Sequence, residues 1–502
     1  MNTGAPLPGL DEAQGRVLDF QCKLHEWASE DVERRFCDLW NLVCDPATLV
    51  VAWSRVSRNR GSRTAGIDGK TRSYVEQELG VERFLVELRS ELKAGEFRPL
   101  PVRERLIPKR DGRKRRLGIP ALRDRVVQMA LKLVMEPIFE SGFYPSSYGY
   151  RPGRRAQDAI AEIHRFTSNP SNYEWVIEAD IEACFDRITH CQLLGEVRRR
   201  IGDKRVLGLV RAFLKAGVMR ETGGLERTVT GTPQGGIASP LLCNIALTAL
   251  DRQYQADWER MSWHGSSRQA LRRKGHPTYR LVRFADDLVV CVKGTRGQAE
   301  KLLDQLAERV EALGLSVKPE KTRVTHIDTG FVFLGQRFIR RSKGATRHVY
   351  TLVCDEALVS IKRRVKALTG RSTRNLDLAT LLVALNRLLR GWTAYFRYAA
   401  AKRTFSYLGN YVWRRVVGWL RKKHPHMSWK QIRRRYFGKD RIQAGEVVLY
   451  NPAARRVERY RYRGARISTP WNERTVDPTG SRYRRTSHDD PAFLGHIQEV
   501  LA

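Results

Sequence analysis

No stretch of the 502-residue sequence approaches the ~18 uninterrupted apolar residues that a membrane-spanning helix requires. The opening residues, MNTGAPLPGLDEAQ, lack a basic region followed by an apolar one, so we expect no secretory signal. The eight cysteines include no CxxC pair, which argues against a structural zinc site and for a reducing compartment. We therefore expect a cytoplasmic protein with no membrane contact.

Acidic residues are scarce relative to basic ones, with 54 Asp and Glu against 91 Lys and Arg and a formal net charge of +37. So large an excess repels itself unless a polyanion binds, and no amphipathic anchor indicates a lipid surface. Nucleic acid is therefore the expected partner. The length predicts about two to four domains rather than one core.

The spacing of apolar residues changes along the chain. The first 95 residues are typical of helices, and from about 98 to 340 short apolar strands alternate with amphipathic helices. That mixture indicates an α+β domain around an antiparallel sheet. The helical period then returns, with dense Arg, Trp and Tyr. We expect domains at 1–95, 96–340 and 345–440, followed by a basic C-terminal segment, 441–502.

Adjacent aspartates, Asp286 and Asp287, interrupt two apolar segments in RLVRFADDLVVCVKG. The flanking β-formers predict a hairpin with the acidic pair at or beside its turn. Such a pair can be an ordinary turn, because Asp satisfies its own backbone there. However, WVIEADIEACFDRITH predicts another strand that ends at Asp180. A carboxylate buried at the end of a strand costs free energy and is rarely found there for structural reasons alone. Strands lying side by side would bring Asp180 and Asp286 together.

Carboxylates brought this close repel each other unless cations lie between them. Mg²⁺ fits such a site best, because it prefers hard oxygen ligands and leaves positions open for phosphates. Two ions about 3.5–4 Å apart would clamp the attacking and leaving oxygens of a phosphoryl transfer. We therefore expect a site for two Mg²⁺ ions, which Mn²⁺ is expected to be able to replace.

Other segments suit a nucleotide. GTPQGGIASPLLCNIAL (231–247) is a loop that runs into a helix, in which Gly235 permits close backbone approach and Gln234 offers hydrogen bonds. An ordinary loop before a helix is the alternative. LIPKRDGRKRRLGIP (106–120) predicts a hairpin on which Lys109 and Arg115 are candidates for binding a triphosphate.

The order of motifs resembles that of reverse transcriptases, and in detail that of bacterial group II intron-encoded proteins. The resemblance covers roughly residues 40–440 and implies a right-hand polymerase, with fingers and palm built on an antiparallel sheet, followed by an α-helical thumb and maturase domain. It rests on IPKRDGRKRRLGIPALRDRVVQ, SSYGYRPGRRAQDAI, IEADIEACFDRI, GTPQGGIASPLLCNIAL, RFADD, GLSVKPEKT and FVFLG, on NRGSRTAGIDG, which looks like the N-terminal extension, and on LNRLLRGWTAYFRYA, which looks like the maturase region.

The resemblance implies a role for each matching residue. Asp180 and Asp286 look like the metal-bridging carboxylates, with the Ile181 carbonyl as a further ligand. Asp287 resembles the second acid of the motif and completes the catalytic set by adding charge beside the metals. Phe185 resembles the steric gate that excludes a ribose 2′-hydroxyl, with core packing as the alternative.

Two further positions near the aspartates bear on the resemblance. Lys321, in KPEK, is a candidate for a positive charge near the nucleotide. Phe284 departs from the family, which usually has Tyr there, so a hydroxyl beside the acidic pair is missing. We expect activity to survive this change, with altered fidelity or metal preference.

The helices after residue 355 mix aromatic side chains with Arg and Lys. Trp392, Tyr395, Phe396 and Ala399 share one helical face, which we expect to be core rather than a base-stacking surface. Cations on the other faces suit an RNA backbone. By resemblance this region grips intron RNA. The candidate RNA-binding residues are Arg390, Arg397, Lys402, Arg403, Arg414 and Arg415.

The motifs together predict an RNA-directed DNA polymerase that is also the splicing maturase of a group II intron ribonucleoprotein. Its expected partners are intron RNA, a DNA target and primer, and dNTPs, in the bacterial cytoplasm and at the nucleoid when it acts on DNA. A free-standing host or defence reverse transcriptase, or an RNA-binding splicing cofactor without polymerase activity, are the alternatives. The segment after 440 has no cysteine and no HNH pattern, so we expect no endonuclease there, but either DNA contact or an irregular tail. The sequence predicts no oligomeric state.

Overall fold

A computed structural model of the protein describes residues 7–108, 114–232, 235–262, 267–438, 441–464 and 467–472. The chain forms two compact units. The first is made of Met1–Ala159, Trp175–Val324 and Arg463–Phe493, and the second of Ile160–Glu174, Thr325–Tyr462 and Leu494–Ala502. The domain boundaries expected from the sequence stay a prediction.

Helices dominate the described residues up to 95 and those between 355 and 436, as the apolar spacing predicted. The helices are α1 (Leu10–Glu30), α2 (Trp40–Val43), α3 (Pro46–Arg58), α4 (Arg72–Tyr74), α5 (Val81–Ala94), α6 (Leu122–Glu140), α7 (Ala156–Thr167), α8 (Cys184–Arg187), α9 (His190–Arg198), α10 (Lys204–Leu214), α11 (Ser239–Arg260), α12 (Ser267–Arg273), α13 (Arg296–Glu311), α14 (Asp355–Leu368), α15 (Leu378–Phe396), α16 (Lys402–Lys423) and α17 (Trp429–Tyr436).

The strands form small sheets of three or four strands each. The strands are β1 (Val102–Pro108), β2 (Lys114–Ile119), β3 (Trp175–Asp180), β4 (Val218–Met219), β5 (Leu225–Glu226), β6 (Thr278–Phe284), β7 (Asp287–Lys293), β8 (Arg323–His326), β9 (Phe331–Phe333), β10 (Gln336–Lys343), β11 (Thr346–Val353), β12 (Phe437–Gly438), β13 (Arg441–Ala444) and β14 (Val447–Val448). The sheet orders are β2-β1-β4-β5, β6-β7-β3-β8, β11-β10-β9 and β12-β13-β14.

The core of the first unit is built from helices around the β6-β7-β3 strands. Helix α6 is buried along nearly its whole length, and α1 and α3 pack against it. Local sequence signals set the helix ends. Asp45 accepts the N–H of Ala47 at the start of α3, and Pro46 occupies the first turn, where a missing N–H breaks no hydrogen bond. Helix α5 ends at Gly95, which has φ 72 and so adopts the left-handed conformation that favours glycine.

The second unit packs its helices through the aromatic face that the sequence predicted to be core. Trp392, Tyr395, Phe396 and Ala399 are all buried, which confirms that prediction. Helix α15, which carries most of this face, runs without a break from Leu378 to Phe396. The aromatic residues of this face are therefore not free to stack on bases.

The C-terminal segment begins as folded structure in the second unit. Asn386, on α15, donates its side-chain N–H to the Val448 carbonyl and accepts the N–H of Tyr450 at 2.7 Å. Residues 473–502 lie outside the described residues. The stretch next to α15 is therefore folded, whereas the expectation for the rest of the segment stays a prediction.

Among the described residues, no helix is long and apolar enough to cross a membrane. All eight cysteines are free thiols.

A buried carboxylate at the start of α6 makes stability depend on pH. Asp124 is 1% exposed; its Oδ2 accepts the N–H of Leu100 at 3.0 Å, and Oδ1 accepts no hydrogen bond from any described residue. Burial raises the pKa of Asp124 to about 7. Above the ordinary carboxyl pKa near 4, the folded state holds a proton that the unfolded state has released. The contribution of Asp124 to stability therefore falls as pH rises toward 7, by on the order of 1 kcal/mol per pH unit.

We expect Asp124→Asn to remove this contribution, because the neutral amide can still accept the N–H of Leu100. Urea unfolding at pH 5 and at pH 7 measures the effect. The free energy of unfolding should change less between the two pH values in the variant than in the parent, whereas the exposed Asp19→Asn should leave the parent's pH dependence intact. An unchanged pH dependence in Asp124→Asn would contradict the assignment.

Candidate active site

The acidic pair lies at the end of a tight hairpin. Strands β6 and β7 pair antiparallel with Phe284 opposite Asp287, so the connection consists only of Ala285 and Asp286. The predicted hairpin with the acidic pair at or beside its turn is therefore confirmed: Asp286 lies in the turn, and Asp287 is the first residue of β7. Ala285 has φ 56, a left-handed conformation that a two-residue turn requires and that alanine seldom adopts.

Strand β3 brings the third carboxylate to this hairpin. It pairs antiparallel with β7, and Asp180 lies opposite Asp287. The N–H of Ile181 donates to the Asp286 carbonyl at 3.3 Å, so the chain that leaves β3 is held against the turn. The prediction that the two acidic segments lie side by side is confirmed. The register adds that the direct cross-strand partner of Asp180 is Asp287, with Asp286 next to it at the turn.

Lysines neutralise part of this charge. Lys318 and Lys321 donate their Nζ–H groups to Asp180 Oδ2 at 2.8 and 2.7 Å. The N–H of Lys318 also donates to the Asp180 carbonyl at 2.8 Å, and Val317 forms an isolated bridge with Ile181. The structure thus places Lys321 at the site, as predicted. Lys318 was not predicted, although it precedes Pro319 in the same KPEK segment.

The two lysines compensate only part of the negative charge of the carboxylates. Burial and the Asp180 carboxylate raise the pKa of Asp286, and Lys318 and Arg115 offset only part of that rise. Burial, followed by the neighbouring Asp286 and Asp180, raises the pKa of Asp287 to about 7. Ionising Asp286 and Asp287 therefore costs free energy that additional cations would recover.

The oxygen atoms at this site suit magnesium in their chemistry, but they are not already arranged around an ion. In the part of the chain that the structure describes, no group of three or more His, Cys, Asp and Glu side chains is spaced to hold a metal ion. Instead, Asp180 Oδ2 accepts hydrogen bonds from both lysines. The carboxylates of Asp180 and Asp286 and the carbonyl of Ile181 are nevertheless the hard oxygen ligands that Mg²⁺ prefers. An ion binding at Asp180 Oδ2 would displace one of the ammonium groups.

Phe185 lies just beyond β3 and is hydrogen-bonded to the candidate nucleotide loop, residues 231–247. It is 9% exposed and belongs to the core of the first unit. Its carbonyl accepts the N–H of Thr232 at 2.5 Å, and the ring of His190 contacts the Gly231 carbonyl at 2.7 Å. The geometry therefore joins the candidate steric gate to the candidate nucleotide loop. It is also compatible with Phe185 as a core residue.

Two of the predicted nucleotide contacts lie on or against β2: Arg115 is part of this strand, and Gly235 belongs to the loop that contacts it. Gly235 has φ 113, and a Cβ there would lie 2.4 Å from the Gly118 carbonyl oxygen of β2, so only glycine fits. Arg115, on the same strand, is near enough to lower the pKa of Asp286. The predicted hairpin is confirmed by the antiparallel pairing of β1 with β2. Lys109 and Gln234 lie outside the described residues.

Two families of known proteins match separate parts of this chain. The family "Reverse transcriptase (RNA-dependent DNA polymerase)" matches residues 107–338, and "Group II intron, maturase-specific domain" matches residues 358–437. "Protein YkfC" of Escherichia coli (strain K12) is 37% identical over 359 residues, which cover 68% of this chain and 93% of YkfC. "Group II intron-encoded protein LtrA" of Lactococcus lactis subsp. cremoris is 30% identical over 361 residues, which cover 63% of this chain and 59% of LtrA.

The chain belongs to the group II intron reverse transcriptase family. It is an RNA-directed DNA polymerase with a maturase-specific domain, and the predicted α+β fold with a helical C-terminal part is confirmed. The family uses divalent metal ions. A protein of the cob intron in Schizosaccharomyces pombe is also similar, at 30% identity over 465 residues that cover 79% of this chain and 56% of that protein.

Three of the six cations predicted to bind RNA in the maturase region of this reverse transcriptase have partners within the chain. Lys402 donates to the Ala453 carbonyl at 2.7 Å, and Arg415 donates to Thr369 Oγ1 at 2.9 Å. Arg397 contacts the Tyr398 hydroxyl and the Glu458 carboxylate. These contacts hold the maturase helices and the start of the C-terminal segment together. RNA contacts of these cations therefore stay a prediction.

The other three candidate RNA-binding cations, Arg390, Arg403 and Arg414, are all exposed but differ in their contacts. The Arg390 guanidinium lies over the Tyr450 ring, 5.7 Å from its centroid. Arg403 and Arg414 project from α16 as exposed side chains, with no hydrogen bond or ion pair to another described residue. Of the six, Arg403 and Arg414 are therefore the best placed to meet an RNA backbone.

Proposed function

We propose that the chain extends a DNA 3′-hydroxyl with dNTPs on an RNA template, using two Mg²⁺ ions at Asp180, Asp286 and Asp287. The observation that carries the proposal is the pairing of Asp180 with Asp287 beside the turn residue Asp286. Three carboxylates at adjoining strand ends, with raised pKa values at Asp286 and Asp287, have no evident use except to bind cations. Mn²⁺ is the expected substitute for Mg²⁺.

Each residue has a distinct role in the proposed reaction. Asp180, the Ile181 carbonyl and Asp286 would hold the ions, which when bound supply charge opposite the transferring phosphate. Asp287 adds negative charge from the neighbouring strand position. Positioning and electrostatic stabilisation then account for most of the catalysis, because phosphoryl transfer requires little covalent chemistry from the protein.

The substrate contacts complete the proposal. Arg115 and Lys109 bind the triphosphate, with Lys321 as a further positive charge near the site, and Gln234 and Gly235 line the nucleotide pocket. Phe185 lies where it would restrict the sugar. Support comes from the effect of Arg115 on the pKa of Asp286 and from the close approach of Gly235 to β2.

Primer extension tests the proposal. The purified chain is incubated with a DNA primer annealed to an RNA template, dNTPs, and either Mg²⁺, Mn²⁺ or EDTA. We expect extension with either ion and none with EDTA. A folded chain that extends no primer with either ion would contradict the proposed reaction.

We further propose that group II intron RNA is the bound partner and that the maturase helices contact its backbone. The match to the maturase-specific domain over residues 358–437 and the net charge of +37 support this proposal. The similarity to proteins of Escherichia coli and Lactococcus lactis supports action in a bacterial cytoplasm, at the nucleoid when the substrate is DNA.

We expect the double variant Arg403→Ala/Arg414→Ala to weaken RNA binding about 10-fold, because two phosphate contacts are lost. The slope of log Kd against log salt should fall by about 1–2. Filter binding of intron RNA across a salt series measures both quantities. Arg198→Ala/Arg199→Ala removes the same charge from exposed positions in the first unit and serves as the control. Equal losses in the two double variants would show that only net charge matters.

A further inference from the structure

Arg283, two residues before the turn, is the largest fully buried side chain near the acidic pair. It is 0% exposed, as is Asp251 on α11. Arg283 Nε donates to Asp251 Oδ1 at 2.8 Å, and Nη2 donates to Asp251 Oδ2 at 2.5 Å. The pair is thus bidentate, a geometry that offsets the free-energy cost of burying two charges.

The remaining hydrogen bonds of the guanidinium reach the turn itself. Nη1 donates to the Ala285 carbonyl and to Asn244 Oδ1, each at 3.0 Å. Nη2 also donates to Ser147 Oγ at 2.7 Å. One planar group therefore joins α11, the segment around Ser147 and the backbone of the residue immediately before Asp286. A lysine ammonium, with a single donor atom, cannot make this set of contacts.

The turn is constrained from its other side as well. The backbone of Arg283 pairs with the segment before Gly149, donating to the Ser146 carbonyl at 2.8 Å and accepting from the Tyr148 N–H at 2.9 Å. A Cβ on Gly149 would lie 2.4 Å from the Ala285 nitrogen, so this segment lies directly against the turn. The left-handed Ala285 is thus held from both sides, as an unfavourable backbone conformation requires.

We propose that Arg283 is a positioning residue for DNA synthesis: by holding the Ala285 carbonyl, it fixes the turn so that the Asp286 carboxylate faces Asp180. The inference rests on the proposed function, because it concerns the orientation of a carboxylate assigned there to the metal ions. A displacement of about 1 Å at a reacting centre can cost on the order of 100-fold in rate. Arg283 would therefore control kcat without touching the nucleotide.

Arg283→Lys is the first test, because it keeps the charge that pairs with Asp251. We expect kcat for single-nucleotide addition to fall about 100-fold, with the dNTP KM within about threefold of the parent value. Binding of Mn²⁺ to the complex with primer and template, followed by electron paramagnetic resonance, should weaken as well. The control is Arg280→Lys on the same strand, away from the turn; its side chain contacts Gln255 and Trp258, and we expect activity close to that of the parent.

The double variant Arg283→Met/Asp251→Leu separates positioning from stability. Apolar residues in place of a buried ion pair often preserve or raise stability, so thermal unfolding should remain cooperative. The Ala285 carbonyl nevertheless loses its donor, and we expect kcat to stay low and Mn²⁺ binding to stay weak.

Recovery of the parent kcat in the double variant would overturn the inference. So would failure of both variants to fold, because it would show that the contacts serve folding alone. A parent chain that synthesises no DNA on RNA would refute the proposed function instead, so the two failures are distinguishable.

Discussion

Asp286→Asn is expected to reduce DNA synthesis on an RNA template in Mg²⁺ by on the order of 10³-fold or more. Asparagine keeps the size of the side chain but removes the negative charge that the ions require. The fold should survive, because burial and the Asp180 carboxylate already raise the pKa of Asp286 and its charge is unfavourable without cations. RNA binding should remain nearly unchanged, since the variant does not alter the basic surface. Primer extension and filter binding on the same preparation measure the two effects.

The matched control for this prediction is Asp304→Asn. Asp304 is exposed on α13, so the substitution removes the same charge from a position away from the turn. We expect full activity. Polymerisation that persists in Asp286→Asn would contradict the assignment of the active site, whatever the control shows.

Phe185→Ala is expected to lower discrimination between dNTPs and rNTPs by about 100-fold, measured as the ratio of kcat/KM values. The smaller side chain leaves room for a ribose 2′-hydroxyl. Because Phe185 is 9% exposed and packs in the core, the variant should also lose stability, by about 3–5 kcal/mol. Single-nucleotide kinetics and urea unfolding give the two quantities.

The two interpretations of Phe185 differ in the outcome of this experiment. A steric gate predicts loss of discrimination together with loss of stability, whereas pure core packing predicts loss of stability alone. Phe139→Ala, at a residue of α6 that is 6% exposed in the same core, serves as the control for a cavity without a gate. Equal discrimination in the Phe185 and Phe139 variants would show that Phe185 is not a steric gate.

Local patterns were sufficient to predict the elements that carry the site. Alternating β-formers on both sides of Asp286 predicted the hairpin, and the apolar run before Asp180 predicted β3. The expectation that these two strands lie side by side connected Asp180 with Asp286, although the two residues are far apart in the sequence. The exact length of the turn could not be predicted, because Asp287 fits equally well as a loop residue or as the first residue of a strand.

Contacts between distant residues could not be predicted from local pattern. Lys318 reaches Asp180 across 138 residues of sequence, and Arg283 reaches Ser147 across 136. In RLVRF, Arg283 resembles any cation on a strand, and only the tertiary structure shows that it is fully buried against Asp251. For the same reason, the hydrogen bond from Lys402 to the Ala453 carbonyl could not be predicted, because Ala453 lies in the segment expected to be a tail.

The most direct test of the metal site is anomalous diffraction from crystals of the chain with primer, RNA template, dNTP and Mn²⁺. A two-metal site at these carboxylates predicts two Mn²⁺ peaks about 3.5–4 Å apart, both in contact with Asp180 and Asp286, with one lysine ammonium displaced from Asp180 Oδ2. Mn²⁺ bound elsewhere, in crystals whose dissolved protein still extends the primer, would contradict it.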